Sequence, residues 1–170
     1  MRILVNAMLS AIVLLSISCT KDKKDDSRQR RFISMKLDNK IYLSESPKGT
    51  IYVPNFTDEN PDNDFPKMVI TGETYGGDQV SFTLAAPTLP FTPGTYPATK
   101  KGNSMLMALN STYTTLTSEG STDFYITITR IDNVTVEGTF TGTLKETTGT
   151  GGPRGVKDGA FRAIVTQVSQ

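Results

Sequence analysis

Histidine and tryptophan are missing from this 170-residue sequence, and cysteine occurs once. Without imidazole there is no Ser-His-Asp or Cys-His arrangement and no histidine ligand for a metal. A lone cysteine closes no internal disulfide. The missing tryptophan removes a broad aromatic platform on which sugars stack. Any enzyme built from this chain would have to run on carboxylates, Tyr, Lys, Ser or Thr. An excess of charge of either sign is missing too: 18 Lys and Arg stand against 17 Asp and Glu. A nucleic-acid footprint needs a clustered basic face, so no nucleic acid is expected as a partner. No apolar run reaches the roughly 20 residues that span a bilayer as a helix.

The longest apolar run, Ile3 to Ile17, follows the positive Arg2 and is interrupted by Asn6, Ser10 and Ser16. At about 15 residues it has the size of a signal-peptide apolar region. The single cysteine, Cys19, closes that run and opens a charged one. Ser16-Ile17-Ser18-Cys19 resembles a bacterial lipoprotein box, departing from it at Ser16, where such boxes carry Leu or another aliphatic. The resemblance implies cleavage before Cys19 and acylation of its thiol, palmitate being one such acyl group. Each buried methylene of an acyl chain contributes about 0.8 kcal/mol, and more than one chain gives stable anchoring. The expected organisation is a signal peptide over 1–18, a lipidated cysteine and polar tether over 19–31, and one domain over 32–170. The tether holds six basic and three acidic residues, so the domain is mildly acidic, 14 against 11. Lys24-Asp25-Asp26 resembles the export tag of Bacteroidota-type surface lipoproteins, set farther from the cysteine than in those proteins.

Alternation of period two dominates the domain and predicts half-buried strands. In VTVEGTFTGTLK, Val134, Val136, Phe140 and Leu144 share a face; in DFYITITRI, Phe124, Ile126 and Ile128 do. Asp132-Asn133 between them predicts a tight hairpin, as does Asp38-Asn39 between RFISMKL and KIYLS. KMVITGET and QVSFTLA are joined by Tyr75-Gly76-Gly77-Asp78, and AFRAIVTQV places Phe161, Ala163 and Val165 together. SMLMALN fits either a buried strand or a short helix. The expected fold is all-β: an antiparallel β-sandwich or open barrel of about eight to ten short strands.

Gly94-Thr95-Tyr96, the run from Ile126 to Phe140 and Asp158-Gly159-Ala160-Phe161 together look like a Bacteroidota-type small surface lipoprotein domain of unknown function. The resemblance covers the chain from about Met68 onward. It implies lipid anchoring to the outer membrane, facing the surface or the periplasm, and brings no catalytic residues with it.

Asp58, Asn60, Asp62 and Asp64 alternate as hard oxygen ligands do in acidic calcium loops, although Asn63 stands in the glycine place and Val69 in that of the final glutamate. Calcium is the one cofactor this spacing suggests. In LPFTPGTYP, Phe91 and Tyr96 sit close together on a proline-stiffened loop and are candidates for ligand stacking. Other rings that could be exposed are Tyr42, Tyr52, Phe56 and Tyr113. GTGGPRG, residues 149–155, lacks the Lys-Ser/Thr ending of a phosphate loop and reads as a hairpin connection. Glu73, Glu119, Asp123 and Glu137 are the carboxylates nearest strands. The expected function is that of a non-enzymatic envelope lipoprotein displaying its domain to a glycan, a peptide or an envelope partner. A carboxylate-based polysaccharide hydrolase or lyase and a lipocalin-like carrier of small ligands are the alternatives.

Overall fold

The structure, a computed structural model, describes residues 30–57, 59–148 and 151–169. The fold is all-β. The described residues form eleven strands in one sheet: β1 (Phe32–Leu37), β2 (Lys40–Glu45), β3 (Lys48–Val53), β4 (Lys67–Glu73), β5 (Gln79–Ala85), β6 (Gly94–Pro97), β7 (Ser104–Leu109), β8 (Thr114–Thr117), β9 (Tyr125–Ile131), β10 (Thr135–Glu146) and β11 (Arg154–Ser169). SMLMALN is resolved as strand β7, with Met105, Met107 and Leu109 buried.

The sheet follows the order β2-β1-β11-β3-β4-β5-β7-β8-β10-β9-β6, and β10 also pairs with β11. That extra pairing closes the ladder β11-β3-β4-β5-β7-β8-β10 on itself. A closed ladder leaves fewer strand edges to attract another chain. The long strand β11 makes closure feasible. Its first part lies between β10 and β1, both antiparallel; from Ile164 to Ser169 it runs parallel to β3. That parallel pair departs from the antiparallel arrangement expected from the sequence.

Asp158, at φ 53°, kinks β11 where the registers with β1 and β10 both shift. Gly159 follows because a Cβ there would stand 2.2 Å from the Phe140 carbonyl oxygen. Phe161 lies opposite Gly138 in the β10–β11 register. A Cβ on Gly138 would stand 2.5 Å from the Phe161 ring, so the glycine makes room for the aromatic. The Asp-Gly-x-Phe and Gly-Thr-Phe patterns are thus two sides of one packing arrangement.

Side chains fill the interior. Phe82 packs edge-on against Phe140, with centroids 4.7 Å apart, and lies 5.4 Å from Phe161. Ile33, Leu37, Met68, Leu84, Leu116 and Ile126 belong to the same core cluster and are buried. Each buried large apolar side chain contributes about 1.5–3 kcal/mol.

Both expected hairpins form, by different chemistry. Asp38 (φ 49°) and Asn39 (φ 70°) adopt the left-handed pair of a two-residue turn between Leu37 and Lys40. Arg154 and the Gly155 amide bind the Asp38 carboxylate, tying this turn to the start of β11. The β9–β10 loop is longer. The Asp132 carboxylate accepts the Val134 and Thr135 amides, at 2.9 and 2.8 Å, so Val134 stays in the loop. Val134 is exposed and does not share the core face of Val136.

Strand directions define two ends. β1, β4, β7 and β10 run toward one end, where turns 38–39, 74–78 and 110–113 lie. We call it the turn end. β9 and β11 run toward the opposite end, which we call the entry end because Arg30 and Arg31 lead into β1 from that side.

Candidate functional site

The entry end holds a half-open recess of about 340 Å³. Four separate stretches build it. Strand β3 supplies Ile51, and β11 supplies Val165 and Gln167, two positions apart and therefore on one face. The β9–β10 hairpin supplies Ile131, Asp132 and Asn133, and the loop before β6 supplies Leu89, Pro90, Phe91 and Pro93. The loop is fixed by its own residues: the Leu89–Pro90 peptide is cis, and the Tyr96 hydroxyl donates to the Thr92 carbonyl at 2.9 Å.

The recess combines seven apolar residues with Asp132, Asn133 and Gln167, a mixture that small-ligand sites also show. Among the described residues Asp132 is the one carboxylate in its lining. Its bonds from the Val134 and Thr135 amides, with lesser help from the Arg130 charge, hold it below the usual value of 3.8. It therefore stays ionised at neutral pH and serves the loop backbone.

Phe91 and Tyr96, singled out in the sequence, do come together, with ring centroids 6.2 Å apart. Phe91 is only 3 % exposed and packs into the core, while it also borders the recess; Tyr96 is half-buried. Tyr42 is buried, whereas Phe56 and Tyr113 are exposed. Tyr75 was not among the rings expected to be open. It is fully exposed on the β4–β5 turn, and the two glycines beside it were the available signal.

The acidic segment follows β3 at the entry end. Asn60 and Asp64 flank the short 3-10 turn Pro61–Asn63, and the Asn63 carbonyl accepts the Asn55 amide at 3.0 Å. Asp58 lies outside the described residues, as does the side chain of Asp62. Among the described residues no group of three or more His, Cys, Asp or Glu is gathered in a way that could hold a metal ion. Cys19 lies outside the described residues, as do Gly149 and Thr150 of the glycine-rich loop.

Two of the strand-adjacent carboxylates, Glu137 and Asp123, are engaged locally. Glu137 bridges to Arg162, 3.2 Å, and to Arg130, 3.6 Å. Asp123 accepts the Ser121 hydroxyl, 2.6 Å, and the Thr143 hydroxyl. Those two bonds, Ser121 first, hold the Asp123 carboxyl below its usual value. A carboxylic general acid needs the opposite shift. Glu73 ends β4, and Glu119 lies in the turn after β8; both are exposed.

No protein-family model matches this chain, and a search of curated proteins and of solved structures likewise finds no match.

Proposed function

We propose that the chain is a non-enzymatic lipoprotein of the cell envelope, of the Bacteroidota type its motifs resemble. Cys19, acylated after cleavage, anchors it in the outer membrane, and the polar stretch to Arg31 spaces the domain from the lipid. The domain faces outward and binds a glycan, a peptide or an envelope partner through its loops. The observation that best supports binding is the entry-end recess. It joins apolar side chains to a few polar ones, and among the described residues its one carboxylate, Asp132, is committed to the backbone of its own loop. Such a site can hold a ligand without acid–base chemistry. Anchoring is tested by Cys19→Ala in a host that processes lipoproteins. The variant should leave the membrane fraction and take up no fatty-acid label. Unchanged fractionation contradicts the anchor.

The closed ladder supports carriage of a small apolar ligand as a second reading. Phe82, Phe140 and Phe161 occupy the middle of the interior, so a cargo would sit at the entry-end mouth. Saturable binding of N-phenyl-1-naphthylamine, weakened by Gln167→Arg at the exposed side of the recess, supports carriage; probe binding that never saturates contradicts it.

A further inference from the structure

Two tyrosines at the turn end stand clear of the core, Tyr75 at 103 % relative exposure and Tyr113 at 92 %. Both sit on turns that are held rigidly. In the β4–β5 turn the Thr74 amide donates to the Asp78 carbonyl, 2.8 Å, and the Gly77 amide to that of Thr74, 2.9 Å. The buried Asp78 carboxylate accepts the Thr74 hydroxyl, 3.1 Å, through one oxygen. Through the other it accepts the Asn110 amide, 2.9 Å. The Asn110 side-chain amide returns to the Gly76 carbonyl, 3.4 Å. One buried carboxylate therefore ties the β4–β5 turn to the β7–β8 turn. Tyr113 itself has φ 54°, a left-handed conformation uncommon for a bulky side chain. Residues held there despite the cost cluster at ligand-contacting sites.

Beside these turns opens a cleft of about 300 Å³. Tyr113, Gln79, Asn110, Thr114 and Thr115 give it an aromatic wall and neutral amide and hydroxyl groups beside Ala108 and Leu109; among the described residues no Lys, Arg, Asp or Glu lines it. An anionic ligand would meet no cation there, while a ligand with both apolar faces and hydroxyls would meet Ala108, Leu109 and the Tyr113 ring beside amide and hydroxyl groups. A pyranose ring suits it, with C–H faces for an aromatic ring and hydroxyls for amides and threonines. Tyrosine on a stiff turn offers that contact at little entropic cost. We infer that the Tyr113 cleft, with Tyr75 on the adjoining turn, is a stacking site for a neutral saccharide. This deepens the binding function proposed above and rests on it. The site faces away from the end at which the chain enters the domain, which leaves it open to a polysaccharide outside the cell.

The full-length protein in detergent is titrated with maltohexaose, cellohexaose and mannohexaose, with an oligogalacturonate as the charged counterpart. Tyrosine emission reads out binding directly, because the chain has no tryptophan. Binding of at least one neutral hexasaccharide is expected, and it should fall about tenfold or more in Tyr113→Asn. Asn accepts the left-handed backbone, so this variant keeps the fold. Tyr75→Ala should weaken binding by a smaller factor. Exclusive binding of the oligogalacturonate overturns the inference, as does no binding by any of the neutral sugars. Neutral-sugar binding that survives Tyr113→Asn but is lost in Gln167→Arg, an exposed position of the entry-end recess, also overturns it, while leaving the protein a binding protein through that recess.

Discussion

The two ends of the sheet solve the problem of a rigid surface with opposite means. At the entry end, prolines and buried rings hold the Leu89–Pro93 segment, and an exposed carboxylate, Asp132, organises the neighbouring hairpin. At the turn end, a buried carboxylate, Asp78, joins two turns, and the rings point into solvent. One end is a recess of apolar side chains mixed with Asp132, Asn133 and Gln167, its aromatics turned inward. The other is a cleft of apolar and neutral polar side chains with its aromatics turned outward. The same chemical group, a carboxylate accepting backbone amides, is thus used at both ends in very different dielectric surroundings. Its removal should be felt much more where it is buried.

The largest effect should fall on both ends alike. Phe82→Ala removes a fully buried ring that touches Phe140 and Phe161. A loss of about 3–5 kcal/mol in urea unfolding is expected, with both ends losing amide protection together. Asp78→Ala should separate them. It strands the Asn110 amide and the Thr74 hydroxyl, at a cost of about 1.5–3 kcal/mol. Hydrogen exchange should speed up at residues 74–78 and 110–114 and stay unchanged at 131–135. Equal loosening at both ends would show that they are not independent.

Tyr113→Asn should be smaller and of opposite sign. Relief of the left-handed backbone is expected to stabilise the fold by about 1 kcal/mol or less, read as a rise in melting temperature. A destabilised variant would mean that the exposed ring is a packing element after all.

The smallest effect concerns Asp132. Its folded pKa is lowered, so its contribution is complete above the ordinary carboxylate value of 3.8 and fades as pH falls through the lower, folded value. The Val134 and Thr135 amide resonances should therefore shift only in strong acid, below that value. Asp132→Asn keeps an acceptor for both amides and should leave stability at neutral pH nearly unchanged. A marked loss in Asp132→Asn would give the charge itself, through Arg130, the larger part.

Much of the strand pattern was legible because burial on one face writes itself into alternate residues. Val80, Phe82 and Leu84 alternate cleanly, as do Phe124, Ile126 and Ile128, and both sets are buried. Asp38-Asn39 announced its turn because so few residues accept two successive left-handed conformations. Strands β3 and β8 were not legible. KGTIYV carries one buried apolar side chain, Ile51, and TTLT carries one, Leu116, too few to show a period. Closure was hidden for another reason. It depends on β11 changing neighbours from β1 to β3 near Ile164, and no local pattern encodes a partner. The recess was invisible as a unit, since Ile51, Phe91, Ile131 and Val165 are far apart in sequence. Its loop was found only because prolines and two aromatics crowd together there. The Tyr75–Tyr113 pair had the weakest signal of all: each is a single ring beside glycine or threonine, and the hydrogen bonds of Asp78 that unite them exist only once the sheet is formed.

The comparison of near and far ends depends on where the chain is held. Mass spectrometry of the mature protein, isolated from its native membrane, tests that most directly. The account predicts a polypeptide that begins at Cys19 and carries a diacylglyceryl group on sulfur with a further acyl chain on its amine. A chain that still begins at Met1, or that shows Cys19 as a free thiol, would contradict it.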